Sequence, residues 1–78
     1  MKTIENVIKI LSEKLGIDES EINGESNLLD DLGMDSLDMV EVIMAMEREF
    51  EINMSDEELV GIKTVDDLVK KIEEKMAQ

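Results

Sequence analysis

The chain contains no cysteine, no histidine and no proline, and a single phenylalanine is its entire aromatic content. Without cysteine it can form neither a disulfide nor a thiolate metal site, and without histidine it lacks the commonest general base. Most catalytic chemistries are thereby excluded. Bases are also scarce, with 8 Lys and Arg against 21 Asp and Glu and a formal charge of −13. Because this charge repels phosphate backbones and anionic lipids, we expect basic proteins or cations as partners and no nucleic acid.

Long hydrophobic runs are absent as well. No apolar segment approaches the length of a membrane span, and an acid interrupts the first residues before a signal segment could form. We therefore expect a cytoplasmic monomer without membrane insertion, although a mature organelle protein that has lost its transit peptide would look the same. The 78 residues are enough for one small domain, predicted to span 1–78.

Apolar residues recur at helical spacing at both ends of the chain. The first pattern covers residues 4–15 and lies between Thr3, a suitable N-cap, and Gly16, a residue type that ends helices in the left-handed conformation. The last pattern covers residues 65–76 behind Thr64, with lysines near its end, where the helix dipole favours cations. These patterns predict a first and a last helix.

Capping residues mark two further helices between them. Asp35 is a suitable N-cap for a helix over residues 36–50, and residues 55–58 have the form of a capping box that opens a short turn through Val60. No alternation of period two reaches a useful length, so strands are not expected. The predicted fold is all-α, a small four-helix bundle of three longer helices and one short helix.

A long crossover loop separates the first two of these helices. A structureless loop of about 20 residues would count against such an assignment in a compact domain. Apolar side chains answer this objection, because they can pin the loop onto the bundle. These predicted anchors are Ile17, Ile22, Leu28, Leu29 and Leu32.

The predicted second helix carries two apolar stripes. An ordinary core stripe comprises Met39, Val42, Ile43, Met46 and Phe50. Leu37, Val40 and Met44 project from roughly the opposite side. Either the crossover covers this second stripe, or it is an exposed apolar strip rimmed by carboxylates, suited to a basic and partly apolar partner. Acidity is concentrated here, since 11 acids and 1 base lie between residues 30 and 58.

The most specific part of the sequence is the segment 30–38. It contains a Leu-Gly turn followed by Asp35-Ser36-Leu37 at the start of a helix, and here the chain closely resembles the acyl carrier proteins. The resemblance covers nearly the whole chain and is strongest over residues 30–50. It implies that a transferase attaches 4′-phosphopantetheine from coenzyme A to the Ser36 hydroxyl, and that the thiol of this arm carries acyl groups as thioesters.

Physical chemistry supports this attachment site. In the first turn of a helix, backbone N–H groups lack partners and the dipole favours an anion, so a phosphodiester on Ser36 would be stabilised. With no histidine or cysteine to activate the hydroxyl, another enzyme must modify it, and the chain is a carrier rather than an enzyme. The resemblance implies that Asp35, Leu37 and Asp38 are recognised by the transferase, with an acid beside the serine helping to hold its Mg²⁺. Alternatively, the two aspartates act only as N-cap and first-turn acid.

The resemblance implies two further sets of residues. Basic surfaces of fatty acid synthesis enzymes would meet a partner-binding face comprising Leu37, Val40, Glu41, Met44, Glu47, Asp56 and Glu57. The acyl chain would fold back between the helices against Val42, Ile43, Met46, Leu59, Ile62 and Leu68. Each residue of the second set is equally a core residue that needs no ligand.

Two other functions fit parts of the sequence. A carrier for polyketide, peptidyl or other specialised acyl synthesis would share the attachment site, although the acidity and the Asp-Ser-Leu-Asp form favour fatty acid synthesis. An acidic cation-binding module would need ligands at EF-hand spacing, but a loop starting at Asp30 places Leu32 at position 3 and Asp35 at position 6. No dedicated metal site is therefore expected.

Overall fold

The hydrophobic periodicity of the sequence is realised as helices. The computed structural model describes residues 2–77, so Met1 and Gln78 of the predicted domain lie outside the described residues. Its helical elements are α1 (Thr3–Leu15), a 3₁₀ turn (Glu19–Glu21), α2 (Ser36–Phe50), α3 (Asp56–Leu59) and α4 (Val65–Met76). Within the described residues no strand forms, and an isolated bridge pairs Asn27 with Thr64. The all-α prediction of three longer helices, one short helix and a long first crossover is confirmed.

Side-chain caps fix where α2 and α4 begin. The Asp35 carboxylate accepts a hydrogen bond from the Asp38 N–H at 2.8 Å, and the Asp38 carboxylate accepts one from the Asp35 N–H at 3.3 Å. Thr64 and Asp67 form the same reciprocal box in front of α4. Each box satisfies N–H groups that have no partner inside the helix. Asp35 and Thr64 are therefore the N-caps that the sequence predicts.

Two predicted helix ends differ from the structure. Thr3 is the first residue of α1 rather than its N-cap. Lys2 takes the N-cap position without a side-chain cap, since the lysine ammonium has no acceptor to offer. The short helix α3 ends at Leu59, with Val60 as its C-cap. Gly16 ends α1 in the left-handed conformation with a φ of 69°, as predicted.

The hydrophobic core lies between the three longer helices, because α1 packs against both α2 and α4. Its largest fully buried side chains are Leu11, Leu28, Met46, Leu68, Ile72, Val7, Val42 and Val65. The predicted core stripe of α2 is confirmed, since Val42, Ile43 and Met46 are buried while Met39 and Phe50 pack against them. Among the described residues, no helix is long and apolar enough to cross a bilayer.

The crossover between α1 and α2 is pinned to the bundle largely as predicted. Its predicted anchors that are buried are Ile22, Leu28 and Leu32. Ile17 is half-buried. The prediction for Leu29 is wrong, because Leu28 takes the core position and the Leu29 side chain is left 56% exposed. A further anchor, Met34, is buried just before α2 although the sequence pattern did not single it out.

Backbone hydrogen bonds also attach the crossover to the connection between α3 and α4 and to the first turn of α4. The Leu28 N–H donates to the Lys63 carbonyl at 2.9 Å, and the Asp66 N–H donates to the Gly24 carbonyl at 2.9 Å. A β-carbon on Gly24 would clash with the Asp66 carboxylate as it is placed, so a glycine suits this close approach. The crossover and the residues before α4 are therefore joined into one side of the molecule.

Candidate functional site

Ser36 is the first residue of α2, and it is exposed. A serine at a helix start usually serves as the cap. Here Asp35 and Asp38 form the capping box, so the Ser36 hydroxyl takes no part in it. The hydroxyl is left at the positive end of the α2 dipole, where a negative charge is favoured.

The chain that leads to Ser36 is held in place by the Leu-Gly turn. Gly33 has a φ of 69°, a left-handed conformation that glycine adopts without steric cost. Leu32 and Met34 on either side of it are buried, and the Met34 N–H donates to the Leu28 carbonyl at 3.1 Å. Buried anchors on both sides of a tight turn therefore fix where α2 starts and where Ser36 emerges.

A groove of about 610 Å³ opens beside Ser36. Its lining residues are Asn27, Leu29, Asp30, Ser36, Met39, Leu59, Val60, Ile62 and Lys63. Leu59 and Ile62 are the two members of the predicted acyl-binding set that reach it. Leu29, Met39 and Val60 also line the groove although they were not predicted there, and Leu29 and Val60 are 56% and 82% exposed. The groove is therefore mainly apolar, with polar residues among its walls.

The other four residues predicted to contact an acyl chain lie inside the bundle. Val42, Ile43, Met46 and Leu68 are each no more than 4% exposed and belong to the hydrophobic core, away from the groove lining. Periodicity cannot separate the two groups, because it identifies apolar positions along one element and not which neighbouring element covers them. The predicted set is thus divided between groove wall and core.

The second apolar stripe of α2 is uncovered. Leu37, Val40 and Met44 are 66%, 52% and 52% exposed, so the interpretation that the crossover covers them is wrong. Three adjacent exposed apolar side chains on one helix face are a feature typical of a docking surface.

The acids predicted to surround this stripe fall into two groups. Glu41, Asp56 and Glu57 are exposed. Glu47 is half-buried, and its carboxylate accepts a hydrogen bond from the Met54 N–H at 2.9 Å. This bond ties the segment after α2 back to the helix. Glu47 therefore has an internal role that its neighbours in the predicted face lack.

The short helix α3 forms one wall of the groove and is tied to α4 by an ion pair. Lys75 of α4 pairs with the Glu58 carboxylate, which also accepts a hydrogen bond from the Ser55 N–H at 3.0 Å. The hydrogen bond from Lys75, followed by that from Ser55, holds the pKa of Glu58 below its ordinary value. Because α3 has only four residues, such tertiary contacts have to hold it in place.

Comparisons with known proteins bear on this arrangement. Residues 5–72 match the family described as phosphopantetheine attachment site. The chain is 50% identical over 70 residues to an acyl carrier protein of Thermotoga maritima, spanning 90% of this chain and 86% of that protein. A crystal structure of an acyl carrier protein from the same organism superposes with a TM-score of 0.81 and 34% identity, covering 95% of this chain and 86% of that one. A solution structure from Anaplasma phagocytophilum, described as a candidate acyl carrier protein, superposes with a TM-score of 0.83 and 32% identity, covering 92% and 85%.

The chain belongs to the phosphopantetheine attachment family. Within that family it is an acyl carrier and not an enzyme, and its cofactor is 4′-phosphopantetheine. As an acyl carrier it acts together with partner enzymes that load and use its cargo.

Proposed function

We propose that the protein carries the growing acyl chain of fatty acid synthesis as a thioester on a 4′-phosphopantetheine arm attached to Ser36. The observation that carries the proposal is the exposed Ser36 hydroxyl, which lies outside the capping box and beside an apolar groove. Such a hydroxyl is accessible to a modifying enzyme, and the α2 dipole favours the phosphodiester that would form. The arm supplies the thiol that the sequence lacks.

Loading requires a partner transferase, because the chain has no histidine or cysteine to remove the proton from the Ser36 hydroxyl. We assign Asp35, Leu37 and Asp38 to transferase recognition. Both aspartates are held at the start of α2 by their reciprocal hydrogen bonds, and Leu37 is 66% exposed beside them. Fixed carboxylates suit recognition by a cationic partner or by its bound Mg²⁺, because little entropy is lost on binding.

Docking to the synthesis enzymes is assigned to the α2 face and the start of α3. The proposed contacts are Leu37, Val40, Glu41, Met44, Glu47, Asp56 and Glu57. Exposed apolar side chains would supply contact area, and the exposed acids would orient basic surfaces of the partners. Glu47 would contribute its charge to this face while its hydrogen bond to Met54 is kept.

The acyl chain is assigned to the groove beside Ser36. Leu59 and Ile62 from the sequence prediction line it together with Leu29, Met39 and Val60. Val42, Ile43, Met46 and Leu68 would contact the chain only if it entered the core behind the groove. The proposal also includes one carrier domain over residues 1–78, monomeric and working in the cytoplasm with its partners.

The attachment site is tested by incubating the protein with coenzyme A and a phosphopantetheinyl transferase of broad specificity. Intact-mass analysis should find one arm on the unmodified chain and none on Ser36→Ala. Ser20→Ala is the matched control, because Ser20 is also exposed but lies in the 3₁₀ turn away from the groove, and this variant should gain one arm. An arm on Ser36→Ala would refute the assignment.

Docking is tested by charge reversal on one partner enzyme at several salt concentrations. Glu41→Lys should weaken association most at low salt, because exposed charges are screened within about 10 Å at 0.1 M. Glu73→Lys on α4 makes the same change of net charge at another exposed site and should have little effect. Equal loss in both variants would assign the effect to net charge alone.

The kind of cargo is tested on protein purified from its native host. Intact-mass analysis should find saturated fatty acyl groups on the arm. Polyketide or peptidyl groups would instead assign the carrier to specialised synthesis.

A further inference from the structure

The surroundings of Ser36 are negatively charged, and one base lines the same groove as Ser36. Of the residues that line the groove, Lys63 alone is cationic, while Asp30 is anionic. Asp35 and Asp38 add two carboxylates at the start of α2. A further negative charge placed on Ser36 would therefore be repelled by its own neighbours along the chain.

The capping box reduces what α2 itself can offer an anion. The N–H groups of Asp35 and Asp38 already donate to carboxylates of the box. The helix terminus carries roughly half a positive charge, which two carboxylates in the first turn exceed. The favourable contribution of the dipole to an anion on Ser36 is therefore offset by these carboxylates, and a cation from elsewhere in the structure would stabilise the anion further.

Lys63 has the position and the freedom to provide that cation. Its backbone is fixed on both sides, because its N–H donates to the Asp67 carboxylate at 3.0 Å and its carbonyl accepts from the Leu28 N–H at 2.9 Å. Its side chain is exposed. Within residues 2–77 the salt bridges join Lys71 to Glu74 and Lys75 to Glu58, so the Lys63 ammonium is not engaged in one. Its charge is the weakest of the influences that lower the pKa of the neighbouring Asp67 carboxylate.

We propose that Lys63 pairs with the phosphodiester that joins the arm to Ser36 and thereby directs the arm along the groove. This inference rests on the proposed function, since it requires an arm on Ser36. Lys63 is a positioning residue and takes no part in attaching the arm. The lysine side chain is a flexible carbon chain that ends in a compact charge, so it can pair with the phosphodiester without a fixed geometry.

The test is a thermodynamic cycle that compares apo and holo protein in the unmodified chain, in Lys63→Met and in Lys70→Met. Lys70 is the matched control, because it is an exposed lysine that does not line the groove and its loss changes the net charge equally. Intact mass is checked first. Failure of the arm to attach in the unmodified chain would count against the proposed function, whereas attachment in all three proteins leaves Lys63 as the only variable under test.

Lys63→Met should lower the melting temperature more in the holo form than in the apo form, and Lys70→Met should lower both equally. The additional drop in melting temperature of the holo form of Lys63→Met should shrink between 0.01 M and 1 M salt, because the screening length falls from about 30 Å to about 3 Å. The ³¹P resonance of the holo protein should move in Lys63→Met and return in Lys63→Arg. Equal melting shifts in apo and holo protein, with an unmoved ³¹P resonance, would overturn the proposal. An excess that appears only when the arm carries a dicarboxylic acyl group would overturn it too, because the cargo carboxylate would then be the anion that Lys63 binds.

Discussion

Two parts of the molecule are held together by different forces. The frame formed by α1, α2 and α4 is joined by fully buried aliphatic side chains. The segment 51–64, which includes α3, buries Met54 and Ile62, packs Ile52 and Leu59 against the core, and adds polar ties through Glu47 and Glu58. Apolar burial stabilises the fold in proportion to the area removed from water. Each polar tie instead adds a small stabilisation that a single substitution can remove.

The difference matters because the groove lies where the two parts meet. Ser36 and Met39 belong to the frame, while Leu59, Val60 and Ile62 belong to the segment 51–64. A wall held by separable polar ties can move without unfolding the frame behind it. We therefore expect the groove to adapt to cargo through this segment, while α2 keeps Ser36 and the docking face in place.

The largest effect is expected from removing a core side chain of the frame. Leu68 of α4 is fully buried, so Leu68→Ala should cost about 2–5 kcal/mol of unfolding free energy through lost burial and a cavity. Leu59→Ala in α3 makes the same chemical change at a half-buried position and should cost distinctly less. Urea unfolding followed by circular dichroism measures both. Equal losses would mean that the segment 51–64 is as integral to the core as α4.

A smaller effect is expected from cutting the tie between α2 and the loop that follows it. Glu47→Ala removes the acceptor for the Met54 N–H and should cost about 1 kcal/mol. Glu41→Ala is the control on an exposed turn of the same helix and should change stability by less than about half as much. Hydrogen exchange should show faster opening at Met54 in the first variant and not in the second. An unchanged exchange rate at Met54 would mean that the Glu47 carboxylate does not hold the loop after α2 in place.

The helical frame could be predicted from the sequence because its signals are local. Apolar spacing located the core stripe of α2, and the side chains of Asp35 and Thr64 located two helix starts. Thr3 was wrongly predicted as the N-cap of α1, because a threonine just before an apolar pattern is a plausible cap whether the helix begins at that residue or one residue later. The segment 51–64 was harder, since its ties join residues through contacts that no periodicity encodes.

The candidate site shows the same division. Ser36 was predicted as the attachment residue from a contiguous motif, and the structure places it exposed at the start of α2. Of the six residues predicted to contact the acyl chain, only Leu59 and Ile62 line the groove, because it is assembled from the crossover, α2, the end of α3 and the α3–α4 connection, which meet through backbone hydrogen bonds such as that from Leu28 to Lys63. From the sequence, Glu47 was predicted as one more acid of an exposed face. Its internal role depends on a hydrogen bond from the Met54 N–H, seven residues later, which no local pattern predicts.

The smallest effect is expected from the tie between Glu58 and Lys75, and it should depend on pH. The pKa of Glu58 in the folded state is lowered, chiefly by its hydrogen bond to Lys75. The stabilisation is therefore present above the ordinary value of 4.5 and is lost as the pH falls through the lower folded value. Protection from hydrogen exchange should fall over that range at the start of α3, where the Ser55 N–H donates to the Glu58 carboxylate and the Glu58 N–H to the Ser55 carbonyl, while the amides of α1 stay protected.

Lys75→Met should remove most of this pH dependence by abolishing the tie at all pH values. Asp67 also has a lowered pKa, chiefly through the backbone N–H groups of Lys63 and Thr64, so acidification weakens these hydrogen bonds in every variant. Lys71→Met is the matched control, because Lys71 pairs with Glu74 on α4 and acts on Glu58 only weakly through charge. It should retain the drop in α3 protection. If Lys75→Met and Lys71→Met follow the same pH profile, the ion pair does not hold α3, and the wall of the groove depends on apolar contacts like the frame.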